Sequence, residues 1–226
     1  MLYEMRTYSF LPTELPKYLK HAEEVGRPVR GNDYGVNCGY WTSDVGQLNQ
    51  VWHLWRYESY AHREDLRAKL SQNKDWTEKY VGVIKEWVKR QDIRLLNPQT
   101  DFTPPEGDGN VYEYRYYRTS VGGAGPWINH FKEALPHREK YSKLVGLWHT
   151  EAGQPNEVSH LWSYPDLSAR AAARAGSIQD DGWRAFLKKG GPYLMEMNNV
   201  LLQPTNYSPL KSVSYTHLTL PTKRIV

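Results

Sequence analysis

Two histidines occupy the same place in two copies of one short pattern. His53 lies in Val51-Trp52-His53-Leu54-Trp55-Arg56-Tyr57, and His160 in Val158-Ser159-His160-Leu161-Trp162-Ser163-Tyr164. In an extended chain, alternate residues share a face. Val51, His53, Trp55 and Tyr57 therefore lie together, with Trp52, Leu54 and Arg56 opposite, and the second copy sorts the same way. A second repeated pattern carries charge: Tyr3-Glu4-Met5-Arg6-Thr7-Tyr8 returns as Tyr112-Glu113-Tyr114-Arg115-Tyr116-Tyr117. Glu4, Arg6 and Tyr8 share one face, as do Glu113, Arg115 and Tyr117. A carboxylate, a guanidinium, an imidazole and phenols on neighbouring strands could bind a small, partly anionic aromatic molecule. Proton transfer would fall to His53 or His160. The candidate catalytic residues are thus His53 and His160. The candidate binding residues are Glu4, Arg6, Tyr8, Trp55 and Tyr57, with Glu113, Arg115, Tyr117, Trp162 and Tyr164. The competing reading is structural: internal ion pairs, and histidines hydrogen-bonded within a core. Duplication favours it, because both halves need the same sheet packing.

Other chemistries find little support. Arg63, Arg67, Arg170 and Arg174 read as a solvated helix face or as helix-to-sheet anchors, with an anion-binding rim as the functional alternative. His137 and His149 stand alone, and no His-x-x-x-His or Cys-x-x-Cys pairs them, so no metal site is expected. Gly122-Gly123-Ala124-Gly125 precedes a helix but lacks the lysine of a phosphate loop, and reads as a plain turn. There is no Gly-x-Ser-x-Gly nucleophile elbow.

These residues sit inside a larger duplication. Gly39–Tyr57 and Gly146–Tyr164 align without a gap. Gly, Trp, Gly, Gln, Asn, Val, His, Leu, Trp and Tyr recur, and Asp44 matches Glu151 in charge. Arg63 and Arg67 return as Arg170 and Arg174, Trp76 as Trp183, and Leu95-Leu96-Asn97-Pro98 as Leu201-Leu202-Gln203-Pro204. Each unit reads β-α-β-β-α-β, the ferredoxin-like order. In the first, a strand over 2–8 precedes a helix from about Thr13, its expected N-cap, to Arg30. A hairpin over 36–42 and 49–57 follows, then helical segments over 60–72 and 76–88 and a strand over 91–96. The second unit predicts strands over 111–117, 144–148, 157–164 and 197–202, and helices over 125–141, 168–175 and 181–189. The expected division is 1–99, a Pro/Gly/Asp-rich linker over 100–110, and 111–207. The fold class is α+β: two tandem ferredoxin-like units packed sheet to sheet as an intramolecular barrel, with the polar trios and histidine stripes facing its interior.

Composition narrows the classes. Nine Trp and 17 Tyr against four Phe favour a Trp-rich core or an aromatic-lined cavity. A single Cys38 excludes an intramolecular disulfide framework and fits a reduced, cytoplasmic setting. A formal charge of +4 is too weak to argue for nucleic acid. No apolar run is long enough to span a membrane, and no secretory leader precedes the first strand. Residues 212–226 have no counterpart in the first unit and resemble a translated adaptor or read-through sequence. A disordered native tail is the alternative.

Tyr-Glu-x-Arg-x-Tyr at the first strand, Gly-x-Trp-x(4)-Gly-Gln-x-Asn-x-Val-x-His-Leu-Trp-x-Tyr at the hairpin and Arg-x(3)-Arg after it resemble the NIPSNAP family, over about residues 1–207. The resemblance implies membership of the dimeric α/β barrel superfamily and brings no agreed reaction. Animal relatives are linked to mitochondria and to protein recruitment. The lack of a transit segment favours a bacterial-type cytoplasmic member. The resemblance leaves three readings open. The first is a small-molecule binding protein or cofactor-independent enzyme. The second is a non-catalytic protein-interaction module. The third is a haem-binding relative, since some superfamily members bind haem, although no local motif supports it and no cofactor is expected. A homodimer is possible.

Overall fold

The structure, a computed structural model, describes residues 1–107 and 110–211. The suspected adaptor segment, 212–226, lies outside the described residues. Eight antiparallel strands close into one barrel: β1 (Leu2–Phe10), β2 (Val36–Val45), β3 (Gln50–Tyr57), β4 (Val88–Pro98), β5 (Val111–Thr119), β6 (Lys143–Ala152), β7 (Glu157–Tyr164) and β8 (Leu194–Pro204). Their order around the barrel is β1-β3-β2-β8-β5-β7-β6-β4. Each half contributes four neighbouring strands in ferredoxin-like order, and the halves join edge to edge through β2·β8 and β4·β6. Closure removes the free edges that two separate sheets would present.

Helices cover the outside. In the first half α1 runs through Leu15–His21, a wide π-helical turn at Ala22–Gly26, and Arg27–Arg30. Next come α2 (Tyr60–Gln72) and α3, π-helical over Asp75–Val81 and α-helical over Gly82–Ile84. The second half has α4 (Ala124–Arg138), α5 (Leu167–Gln179) and α6 (Asp181–Gly190). Capping explains several starts: Ser59 accepts from the His62 amide at 3.1 Å, Asp166 from Ala169 at 2.7 Å and Asp180 from Trp183 at 3.1 Å. Thr13 is not the cap of α1; Glu14 holds that position without a side-chain bond. The helical segment expected to reach residue 88 ends at Ile84, because Val88 already pairs with Phe10 in the sheet.

The repeated hairpin block is largely backbone chemistry. Gly46 and Gly153 have φ of 117° and 110°, and Asn49 and Asn156 have φ of 54° and 58°. These are left-handed conformations that Gly and Asn adopt most readily. The Gly-Gln-x-Asn signature is therefore the turn itself. In each Gly-x-Trp, the glycine marks a register shift, and the indole of Trp41 or Trp148 lies over it. A Cβ on Gly39 would overlap the Trp41 ring. Gly39→Ala is expected to cost about 1–3 kcal/mol through forced repacking, measured by urea unfolding. An unchanged midpoint would show that Trp41 moves aside freely.

Both sheet faces are buried. The interior is filled by side chains from both halves, among them Tyr3, Trp41, Trp52, Tyr112, Tyr114 and Trp148, all at most 4% exposed. Phe102, from the segment after β4, packs on Tyr3 and Trp148, and Leu210 joins the same cluster. Some polar interior groups are paired, as where Arg94 and Thr150 donate to Glu157 at 2.8 and 3.0 Å. Two further cores lie outside the barrel, between each half's strands and its helices.

Candidate functional site

The polar trios and histidine stripes lie on the outer face, beneath the helices, which corrects the expected interior placement. His53, Trp55 and Tyr57 pack with Tyr8, Tyr18 and Tyr80. Trp162 and Tyr164 pack with Tyr117 and residues of α4, α5 and α6. The opposite parity, Trp52 and Leu54 with Tyr3 and Met5, fills the barrel. The physical reason is charge. The outer face is where the helices deliver the cations that Glu4 and Glu113 require.

Each carboxylate is wholly buried. Glu4 accepts from Arg6 at 3.0 Å and is paired by Arg63 from α2. Glu113 accepts from Arg115 at 2.6 Å, from Arg170 of α5 at 2.7 and 3.1 Å and from Asn199 at 3.0 Å, with the Tyr164 hydroxyl at 3.3 Å. Burial alone would raise both carboxyl pKa values. The neighbouring guanidiniums outweigh it and hold them below the ordinary carboxylate range. Arg63 and Arg170 are therefore helix-to-sheet anchors. Arg67 and Arg174, one turn on, line cavities, and Arg174 also stands 3.8 Å from Glu113.

Those cavities, of about 270 and 300 Å³, lie between sheet and helices, one per half. His53 lines the first and His160 the second. The two rings are held alike. The indole Nε1 of Trp55 donates to His53 Nδ1 at 2.5 Å, and Trp162 donates to His160 Nδ1 at 2.5 Å. Tyr40 stacks on His53 at 4.6 Å, and Trp127 on His160 at 5.9 Å. Burial drives both imidazoles well below their ordinary pKa. Arg6, Arg30 and Arg27 reinforce this at His53, as do Arg115 and Arg138 at His160. A neutral ring accepting at Nδ1 carries its proton on Nε2. Both Nε2 atoms are buried and have no partner among the described residues. Each cavity therefore offers one unsatisfied N–H beside guanidiniums.

Sequence reasoning missed Arg30 and Arg138. Arg30 lies over the Trp55 ring at 3.4 Å and donates to the Tyr57 hydroxyl at 3.0 Å. Arg138 lies over Trp162 at 4.7 Å and donates to the Tyr164 hydroxyl at 3.3 Å. Their shared signal is an arginine at the end of the first helix of each unit. Neither cavity lining contains an acidic residue. The arrangement can hold an anion against an aromatic wall and donate to it from a neutral imidazole. It does not fit haem. Cavities at the lower bound for drug-sized ligands leave no slot for a porphyrin under the helices. Among the described residues, no cluster of three His, Cys, Asp or Glu could hold a metal ion. No helix among them is long and apolar enough to cross a membrane.

The sequence pattern of the NIPSNAP family matches residues 3–104 and again 112–209. Protein NipSnap homolog 3A of Homo sapiens is 33% identical over 216 residues, covering 93% of this chain and 86% of that protein. Protein NipSnap homolog 3B of Mus musculus is 34% identical over 214 residues, covering 92% and 85%. Among solved structures, an anthrone oxidase-like protein superposes with a TM-score of 0.62 at 13% identity, over 90% of both chains. That likeness extends to the fold alone. With the barrel, the twice-matched pattern and these relatives in agreement, the chain belongs to the NIPSNAP family.

Proposed function

We propose that each half binds a small aromatic molecule bearing an anionic group in the cavity between its sheet and its helices. The observation that carries this reading is the pair of buried, partnerless Nε2–H groups on His53 and His160, each beside uncompensated guanidinium charge. A buried unpaired donor costs about 1–3 kcal/mol. A ligand oxyanion would recover that cost, and Trp55 or Trp162 would supply the aromatic wall. The histidines act here as hydrogen-bond donors. The lone pair a general base would use is taken by the neighbouring indole. If the bound molecule reacts, a neutral imidazole aimed at a developing oxyanion is the means of stabilising it.

The test compares naphthoate with its uncharged carboxamide, by calorimetry and native mass spectrometry of the full chain. Naphthoate should bind about tenfold or more tighter, the scale of one charge-assisted hydrogen bond. His160→Phe should abolish the preference in the second half. Equal binding of acid and amide, or no retained adduct, would overturn the reading.

A further inference from the structure

The two cavities share their histidine, tryptophan and carboxylate, yet their remaining walls differ in a consistent direction. In the first half three phenols meet beside the cavity: Tyr40 stacks on His53, Tyr40 and Tyr80 line the cavity, and Tyr18 joins them from behind. The Tyr18 and Tyr40 hydroxyls are 2.8 Å apart, and Tyr80 donates to Tyr18 at 3.1 Å. At the corresponding places in the repeat the second half has Trp127, Leu147 and Leu187, none with a hydroxyl. Trp127 instead joins Phe131, Trp183 and Phe186 in an aromatic cluster against His160.

Charge diverges in the same sense. Glu4 is already paired with Arg6 and Arg63. That leaves Arg27, Arg30 and Arg67 in the first cavity without a carboxylate, with Lys85 also in the lining. Among the described residues Arg67 has no hydrogen-bond or ion-pair partner, and the Arg30 Nε is buried and unsatisfied. Burial holds all three guanidiniums below their ordinary pKa, the sign of cations lacking anionic partners. In the second cavity Arg115 and Arg174 both lie against Glu113, Arg174 at 3.8 Å, and only Arg138 remains. Backbone geometry follows suit. Two of the three helical segments lining the first cavity pass through wide π-helical turns, whereas α4, α5 and α6 over the second contain none. Such turns recur at functional sites.

We propose that the two halves have diverged in specificity. The first takes a hydroxylated ligand with two anionic groups, and the second a flat, apolar aromatic monoacid. This rests on the binding reading above and adds to it the class of ligand each half selects. The three unpaired guanidiniums match a dianion, and the phenol cluster offers donors and acceptors to a ligand hydroxyl. In the second half the single free guanidinium matches one carboxylate, and the Trp and Phe wall matches a fused ring.

The probes are hydroxyisophthalate for the first cavity and naphthoate for the second, each titrated calorimetrically alone and in the presence of the other. Each should bind once per chain, without competition. Arg67→Met should weaken hydroxyisophthalate about tenfold or more and leave naphthoate unchanged. Leu187→Glu, at a half-exposed position of the second cavity, should do the reverse. Competition between the probes, or equal weakening of both by Arg67→Met, would overturn the divergence and leave the binding reading standing. Failure of one probe alone to bind would overturn the divergence, and failure of both would remove the binding reading as well.

Discussion

Replacing Glu113 with Gln should destabilise the protein by about 3–5 kcal/mol, the scale for removing one partner from a buried ion pair. The carboxylate is fully buried and receives Arg115, two nitrogens of Arg170 and the Asn199 amide, with Arg174 at 3.8 Å. A neutral amide keeps the shape and removes the charge, leaving Arg115 and Arg170 largely buried with no counter-ion. It also presents an N–H₂ to the guanidiniums of Arg115 and Arg170, which can only donate. Glu4→Gln should follow the same course less severely, because only Arg6 and Arg63 converge on Glu4. The control is Glu196→Gln. Its pair with Arg118 is about half exposed, so the loss should stay within about 1 kcal/mol. Urea unfolding at pH 7 reads all three. If Glu113→Gln and Glu196→Gln shift the transition equally, the buried network is not what fastens α5 to the sheet. The double variant Glu113→Gln with Arg170→Met should regain part of the loss, because one stranded cation goes with it.

This network also shows where the sequence was readable. The duplication fixed the strand order, and local pattern placed α2 and β7 at their observed bounds. Alternation also correctly grouped Glu4 with Arg6 and His53 with Trp55. What alternation could not say was which group faces the barrel. In a sheet with one wet face, polarity decides. Here Trp52 and Leu54 on one side and Trp55 and Tyr57 on the other are all at most 4% exposed, so neither face looks wetter. The deciding term is long range. Inside the barrel Arg94 is already taken by Glu157, whereas α2 and α5 bring Arg63 and Arg170 to the outer face. Reading those arginines as partners of Glu4 and Glu113 would have settled the question. Arg30 and Arg138 were harder to find, since one precedes Gly31 and the other Glu139 and their local sequences do not align.

Acid should weaken the fold before Glu4 or Glu113 titrates, and His53 and His160 should be the cause. Both are pushed well below the ordinary value of 6.5, first by burial and then by nearby guanidiniums. In the unfolded chain each takes up a proton near its ordinary pKa; in the folded chain it does not. Below about pH 6.5 the unfolded state thus holds more protons, and stability falls as pH falls. Each histidine contributes up to about 1.4 kcal/mol per pH unit in that window, so the pair gives about 2.8. Glu4 and Glu113 act lower. Their pKa values are depressed, so their contribution is complete above the unfolded carboxylate range and lost only as pH drops through the folded values. Between pH 6.5 and 5 the histidines should therefore dominate. Asn at either position keeps an acceptor for the indole N–H but does not titrate. His53→Asn and His160→Asn should each flatten the slope by about half, and together remove most of it, whatever they cost at pH 7. A wild-type slope that persists in the double variant would place the acid sensitivity elsewhere. It would also undercut the assignment of two neutral, donor-bearing imidazoles on which the binding role depends.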